Sequence, residues 1–254
     1  MMMKTFVVNM RKDTQKRRII EQQLQSHPDL DFQIWEAVEG GKLSKDAQKS
    51  LVSEEFYSKY KRNATLPAIG CALSHISIYK EIIDKGIDYA LILEDDAILT
   101  LTPPIVGLDS YLSTQKAVAI LLTPEVIYKN EDMICNLDMS VKNRTCKLYK
   151  IHSGLMTSGY IINKSAAKLL YEHLRPVKFM ADAWSDFCNM GLNLYAIVPH
   201  IISYPDGFGE IGKSQVLERS FIDRIHYQLA LVKIRVLYVI HFFKGERRSK
   251  KQWK

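Results

Sequence analysis

Apolar residues recur along this chain in two rhythms. Short unbroken runs have the length of strands buried on both faces: Phe6-Val7-Val8, Tyr89-Ala90-Leu91-Ile92-Leu93, residues 117–122 and Tyr160-Ile161-Ile162. Between them, apolar positions return every three or four residues, which is the helical period. Asp13 is placed to cap a helix over 13–27 whose inner face is Ile19, Ile20 and Leu24, with Pro28 ending it. Residues 32–35 read as a second strand, and Gly40-Gly41 breaks the chain.

Residues 45–61 read as one polar helix with Leu51, Val52 and Phe56 turned inward. Pro67 opens a stronger helix over 68–85, with Ala72, Ile76, Tyr79 and Ile83 on one face and Gly86 as its stop. Further on, Pro103-Pro104 marks a loop and residues 125–150 a β-hairpin region. Asn163 is placed to cap a helix over 164–174. Residues 182–190 read as helix, and 194–198 as a last strand before Pro199. Strands alternating with helices predict an α/β domain with a mostly parallel central sheet.

The pattern changes near the C-terminus. Phe221, Ile225, Leu229, Val232, Val236, Ile240 and Phe243 form one apolar helical stripe, punctuated by Arg224, Lys233, Arg235 and Lys244. The run Arg247, Arg248, Lys250, Lys251 and Lys254 follows, with Trp253 near its end. A spanning helix is disfavoured, because Lys233 and Arg235 would each cost about 2.5–3.5 kcal/mol at mid-bilayer. An amphipathic basic helix lying in a membrane interface fits better, the other reading being a helix packed on the body. The chain therefore divides into a domain over 1–218 and a basic amphipathic tail over 219–254.

Charge sharpens that division. The 254 residues carry a net charge of +7, and ten basic against two acidic residues lie within 219–254. The body is close to neutral, so the tail holds the excess and calls for a polyanionic partner such as an anionic membrane surface. Residues 1–10 hold too short an apolar run for a secretory signal. The expected location is cytoplasmic, peripheral on the inner membrane. Cys71, Cys135, Cys146 and Cys188 lack the C-x-x-C spacing of a zinc knuckle or redox pair, and read as free thiols.

The chemistry concentrates at Glu94-Asp95-Asp96, which closes the buried run Tyr89-Ala90-Leu91-Ile92-Leu93. Adjacent carboxylates repel, and burial is costly for them unless water or a cation neutralises them. Ligands of open α/β sheets bind at the carboxyl ends of strands. Strand alternation sends Glu94 and Asp96 to one side and Asp95 to the other. Two hard oxygen donors suit Mg²⁺ or Mn²⁺, with diphosphate oxygens completing the shell. A solvated acidic turn is the competing reading.

At these residues the chain resembles glycosyltransferase family 25, the lipopolysaccharide and lipooligosaccharide biosynthesis glycosyltransferases of Gram-negative bacteria. The matching blocks are Phe6-Val7-Val8-Asn9-Met10 with Arg17-Arg18, then Trp35-Glu36-Ala37-Val38-Glu39-Gly40. Most specific are Ile69-Gly70-Cys71-Ala72-Leu73-Ser74-His75 and Ala90-Leu91-Ile92-Leu93-Glu94-Asp95-Asp96-Ala97. Gly159 through Ala167 looks like the family's later strand–helix element. The resemblance implies a GT-A-like, Rossmann-like nucleotide-sugar-binding domain and a UDP-sugar donor, with galactose the transferred hexose. It also implies Mn²⁺ (or Mg²⁺), an inverting single displacement and a lipooligosaccharide or other glycolipid acceptor. The acidic triplet stands where GT-A enzymes carry D-x-D, with Glu94 in place of the first Asp.

On that footing Asp96 is the expected metal ligand, with Glu94 on the ion or the ribose and Asp95 in support. Val8 and Asn9, at the end of the first strand, should border the nucleotide. Arg11, Arg17 or Arg18 should meet its diphosphate. Asp182, then Asp186, and also Glu210 and His75, are candidates for the general base that takes the acceptor's proton. Trp184 and Tyr204 offer rings for a sugar face. The alternative class is a basic nucleic-acid-binding protein or carboxylate–metal nuclease; no recognisable nucleic-acid-binding motif accompanies the basic run, so nucleic acid is not an expected partner.

Overall fold

A computed structural model describes residues 2–100, 105–123, 135–141, 144–198 and 200–203. The expected loop at Pro103-Pro104, the basic tail over 219–254, Tyr204 and Glu210 lie outside them.

The chain opens with β1 (Met3–Asn9), α1 (Thr14–Gln25) and β2 (Leu30–Glu36). Ile20 and Leu24 are buried, but Ile19 is 58% exposed, because one residue turns a helix by a full side. Asp13 stands at the cap position without a capping side-chain bond. The single helix expected over 45–61 is two, α2 (Lys45–Leu51) and α3 (Glu54–Tyr60). Val52 breaks them apart by bridging to Val177, and Ser53 caps the second helix at Phe56. Leu51 is consequently exposed while Val52 and Phe56 are buried.

Thr65 caps α4 (Leu66–Asp84), which runs past the fold's deepest packing and stops at Gly86, where φ is +64°. Then follow β3 (Tyr89–Glu94), β4 (Ile98–Leu99), α5 (Ile105–Leu112) and β5 (Val118–Leu121). The expected hairpin is β6 (Cys135–Val141) paired antiparallel with β7 (Arg144–Ile151). Next are β8 (Gly159–Asn163), α6 (Lys164–His173), α7 (Trp184–Asn189), β9 (Asn193–Val198) and β10 (Ile202–Ser203). Asn163 caps α6 as expected, and its amide also gathers the carbonyls of Leu112, Thr114 and Lys116.

The main sheet has the order β2-β1-β3-β8-β5-β9-β7-β6. β2, β1, β3, β5 and β9 run one way, while β8 runs against both its neighbours. Strand alternation divides the core between the two faces. Phe6, Ile92, Leu121, Tyr160 and Ile162 pack with α4 and α6 on one side. Val7, Leu91, Leu93, Ile120 and Ile161 pack with α1 and α5 on the other. β4 and β10 pair as a small separate ribbon.

Two of the sequence blocks quoted above are one joint. The segment after β2 crosses α4 so closely that a Cβ on Gly70 would stand 2.4 Å from the Val38 carbonyl oxygen. A Cβ on Gly40 would stand 1.8 Å from that of Leu66. The Val38 amide donates to Ser74 Oγ at 2.8 Å, and Trp35 Nε1 donates to Ser77 Oγ at 2.8 Å. This joint fixes the face that α4 turns toward the end of β3.

Candidate functional site

Parallel pairing of β1 with β3 sets Val8 opposite Glu94. The next residues, Asn9 and Asp95, therefore leave the sheet side by side. Asn9 is buried and donates from Nδ2 to Asp95 Oδ2 at 2.7 Å and to the Asp13 carbonyl at 3.2 Å. Lys16, in the first turn of α1, lies 3.1 Å from Asp95 Oδ1 and 3.9 Å from Asp96 Oδ2.

The three acids have different environments. Burial raises the Asp95 carboxyl, and Asn9 and Lys16 offset that only in part. Asp96 is pushed up to about 6 by burial, then by the charge of Glu94, with Lys16 pulling the other way. Its Oδ1 is buried and has no hydrogen-bond partner among the described residues. Burial pushes Glu94 upward too, but His75, Thr157 and Lys16 together outweigh it and hold the carboxyl below its ordinary value. The Thr157 hydroxyl donates to Glu94 Oε1.

Glu94 faces α4. His75 Nε2 stands 3.7 Å from Glu94 Oε1, close enough for an ion pair and too far for a hydrogen bond. The buried ring is anchored at its other nitrogen, where Nδ1 and the Tyr160 hydroxyl are 2.7 Å apart. Tyr79 and Tyr160 hydroxyls lie 2.9 Å apart behind it. Cys71, one helical turn before His75, completes a group in which its sulfur, a His75 ring nitrogen and a Glu94 oxygen all lie within 4.8 Å of one another. Asp182 accepts from the Met156 amide at 3.3 Å. Its carboxyl is raised by burial and feels the charges of Glu94 and His75.

The structure thus brings Asn9, Glu94, Asp95, Asp96, His75 and Asp182 to one end of the sheet, with Val8 in the adjoining core. It does not bring the rest. Asp186 is turned onto Lys59 at 2.7 Å, whose ammonium also sits 4.3 Å from the Phe179 ring centroid; this candidate base is held in an ion pair. Arg17 pairs with Glu21 at 2.9 Å, and Arg11 and Arg18 are exposed. The cation at the triplet is Lys16, because the residue before Arg17 faces a different side of α1. Trp184 is wholly buried, donates to the Met156 carbonyl at 3.0 Å and packs on Tyr160 and Phe187, so it belongs to the core.

Sequence reasoning missed Lys16, Thr157 and the Tyr160–Tyr79 pair. No sequence signal separated Lys16 from Arg17 and Arg18; the pairing of β1 with β3 brings the first turn of α1 to the triplet. Among the described residues, the oxygens of Asp96 and Glu94 fit a hard divalent cation, since a buried carboxylate oxygen without a partner is the donor such an ion satisfies.

Residues 2–185 match the family model for glycosyltransferase family 25 (LPS biosynthesis protein). The chain is 34% identical over 102 residues to procollagen galactosyltransferase 2 of Homo sapiens, and 33% identical over 102 residues to that of Mus musculus. Each alignment covers 36% of this chain and only 15% of the relative's own length. Among solved structures it is similar to A197 from STIV, with TM-score 0.40 and 11% identity over 83% of this chain and 87% of that one. It is also similar to a glycosyltransferase involved in the glycosylation of the major capsid of PBCV-1, with TM-score 0.33 and 11% identity over 85% of this chain and 100% of that one.

Proposed function

The chain belongs to glycosyltransferase family 25, and on that premise we propose that it transfers galactose from UDP-galactose to a lipooligosaccharide or lipopolysaccharide acceptor, by an inverting, metal-dependent single displacement. One observation carries this reading: the buried Oδ1 of Asp96, without a hydrogen-bond partner among the described residues, beside Glu94 at the carboxyl end of a central strand. The galactosyltransferase relatives support the choice of sugar.

Asp96 and Glu94 would hold Mn²⁺ or Mg²⁺, which when bound supplies Lewis-acid neutralisation of the diphosphate leaving group. Asn9 and Lys16 fix Asp95, and Lys16 adds a positive charge where the diphosphate would lie. In the transfer, the acceptor oxygen bonds to the anomeric carbon as the bond to the diphosphate oxygen breaks. UDP departs with that electron pair, and the acceptor's proton passes to Asp182. Burial raises the Asp182 carboxyl, which makes it a better proton acceptor than a solvated aspartate. His75, held by Tyr160, sets the position of Glu94.

The basic stripe of the tail leads us to place the enzyme on the cytoplasmic face of the inner membrane, within reach of a glycolipid acceptor. Among the described residues no helix is long and apolar enough to cross a membrane. Incubating the protein with a panel of UDP-sugars, Mn²⁺ and lipooligosaccharide tests the assignment. UDP release greatest with UDP-galactose and abolished by Asp96→Ala supports it. Absence of turnover with every UDP-sugar overturns it.

A further inference from the structure

We propose that Cys71, His75 and Glu94 form a second cation seat, for a thiophilic divalent ion of the zinc class, and that filling it shuts the transferase by taking Glu94 from the hard-oxygen seat on Asp96.

The three donors differ in kind: a thiol sulfur, an imidazole nitrogen and a carboxylate oxygen, all within 4.8 Å of one another. Zinc holds such atoms at about 2.0–2.3 Å, so a group this compact closes on the ion with side-chain adjustments alone. Cys71 and His75 are one helical turn apart on α4, which keeps both on one face without any loop to order. Glu94 approaches from β3, and three protein ligands leave a position open, as in catalytic zinc sites.

The imidazole carries the argument. His75 is 1% exposed, and its Nε2 has no hydrogen-bond partner among the described residues. The other nitrogen is engaged by the Tyr160 hydroxyl, with Tyr79 behind it. When Nδ1 carries the proton and donates to Tyr160, the Nε2 lone pair points at a carboxylate 3.7 Å away, an arrangement that a cation between them satisfies. Thr157 holds Glu94 Oε1 at the mouth of the group. Sulfur and imidazole select zinc-class ions over Mn²⁺ or Mg²⁺, which favour oxygen. On binding, the Cys71 thiol releases its proton to water and the thiolate joins the ion.

Because Glu94 belongs to both seats, the two ions compete for one carboxylate. The inhibitory half of this proposal rests on the transferase reading; the seat itself does not.

Titrating the full-length protein with Co²⁺ tests the seat. A single equivalent should produce a near-ultraviolet sulfur-to-cobalt charge-transfer absorption, displaced by Zn²⁺. Cys71→Ser should abolish it, Cys188→Ser should keep it, and Tyr160→Phe should weaken cobalt binding about tenfold. No such absorption in the wild type, or its survival in Cys71→Ser, overturns the seat. With UDP-galactose and Mn²⁺ present, Zn²⁺ should stop the wild type at concentrations that Cys71→Ser withstands. Equal sensitivity of the two proteins overturns the inhibitory role. A chain that binds cobalt through Cys71 yet turns over no UDP-sugar sinks the transferase reading and leaves the seat standing.

Discussion

The ammonium of Lys16 lies 3.1 Å from Asp95 Oδ1, joining the first turn of α1 to the turn that follows β3. It is the positive group at the acidic triplet among the described residues, and Asp96 lies 3.9 Å away on its other side. Lys16→Met should therefore reduce kcat/KM for the UDP donor about ten- to a hundredfold, the scale of a hydrogen bond to a charged group at about 1.5–3 kcal/mol. Lys16→Arg should recover part of it. Steady-state kinetics with varied donor concentration checks this, and an unchanged kcat/KM would take Lys16 away from the diphosphate.

Asp96 is a site where burying a carboxyl beside another acid opposes stability. Its folded pKa of about 6 lies above the ordinary value of 3.8, so between those values the native chain binds a proton that the unfolded chain has lost. Stability contributed by this group is thus full at low pH, falls as pH rises toward about 6, and is lost above it. Asp96→Asn should raise the melting temperature near neutral pH, by at most about 3 kcal/mol of stability. The gain should vanish by about pH 4. Thermal unfolding at both pH values measures it; a variant less stable than wild type at neutral pH refutes the argument.

Asp182 is assigned the acceptor's proton. Asp182→Asn should lower turnover about 10²- to 10⁴-fold while leaving UDP affinity nearly unchanged. Calorimetric titration with UDP alongside initial rates separates the two effects. Normal turnover would move the base elsewhere.

Backbone crowding at Gly70 sets a purely structural expectation. Gly70→Ala forces a Cβ against the Val38 carbonyl, and should cost about 1–3 kcal/mol. Gly41→Ala meets nothing within 4 Å and should leave the melting temperature unchanged. Parallel melts of the two variants decide it.

Deleting residues 221–254 should weaken sedimentation with anionic liposomes. If the shortened chain pellets as well as the full one, the tail has no part in membrane contact.

Much of this was readable in advance. The five-residue apolar run before Glu94-Asp95-Asp96 announced a central strand, and the three acids do stand at its carboxyl end. His75 and Asp182 were named and do converge, from elements more than a hundred residues apart. Membership of a transferase family answers the nuclease alternative, which the basic tail and the acidic triplet had kept open. Three things were hidden for physical reasons. A short run such as Tyr160-Ile161-Ile162 looks the same whichever way its strand runs, so the reversal of β8 left no trace. Lys16, Arg17 and Arg18 are adjacent cations, and only the rotation of α1 selects the first. Trp184 looks equally suited to a sugar face and to a core, and burial chose the core.

The reversed strand has a wider consequence. Because β8 enters the sheet where β3 and β5 leave it, the excursion after Thr123 begins and ends on the same rim, beside Glu94. The described ends of that excursion are tied down there: the Leu122 amide donates to the Gly159 carbonyl, and the Glu94 amide to that of Ser158. A strand run backwards through the sheet thus fastens two stretches of chain, distant in sequence, to the backbone and side chain of one carboxylate residue.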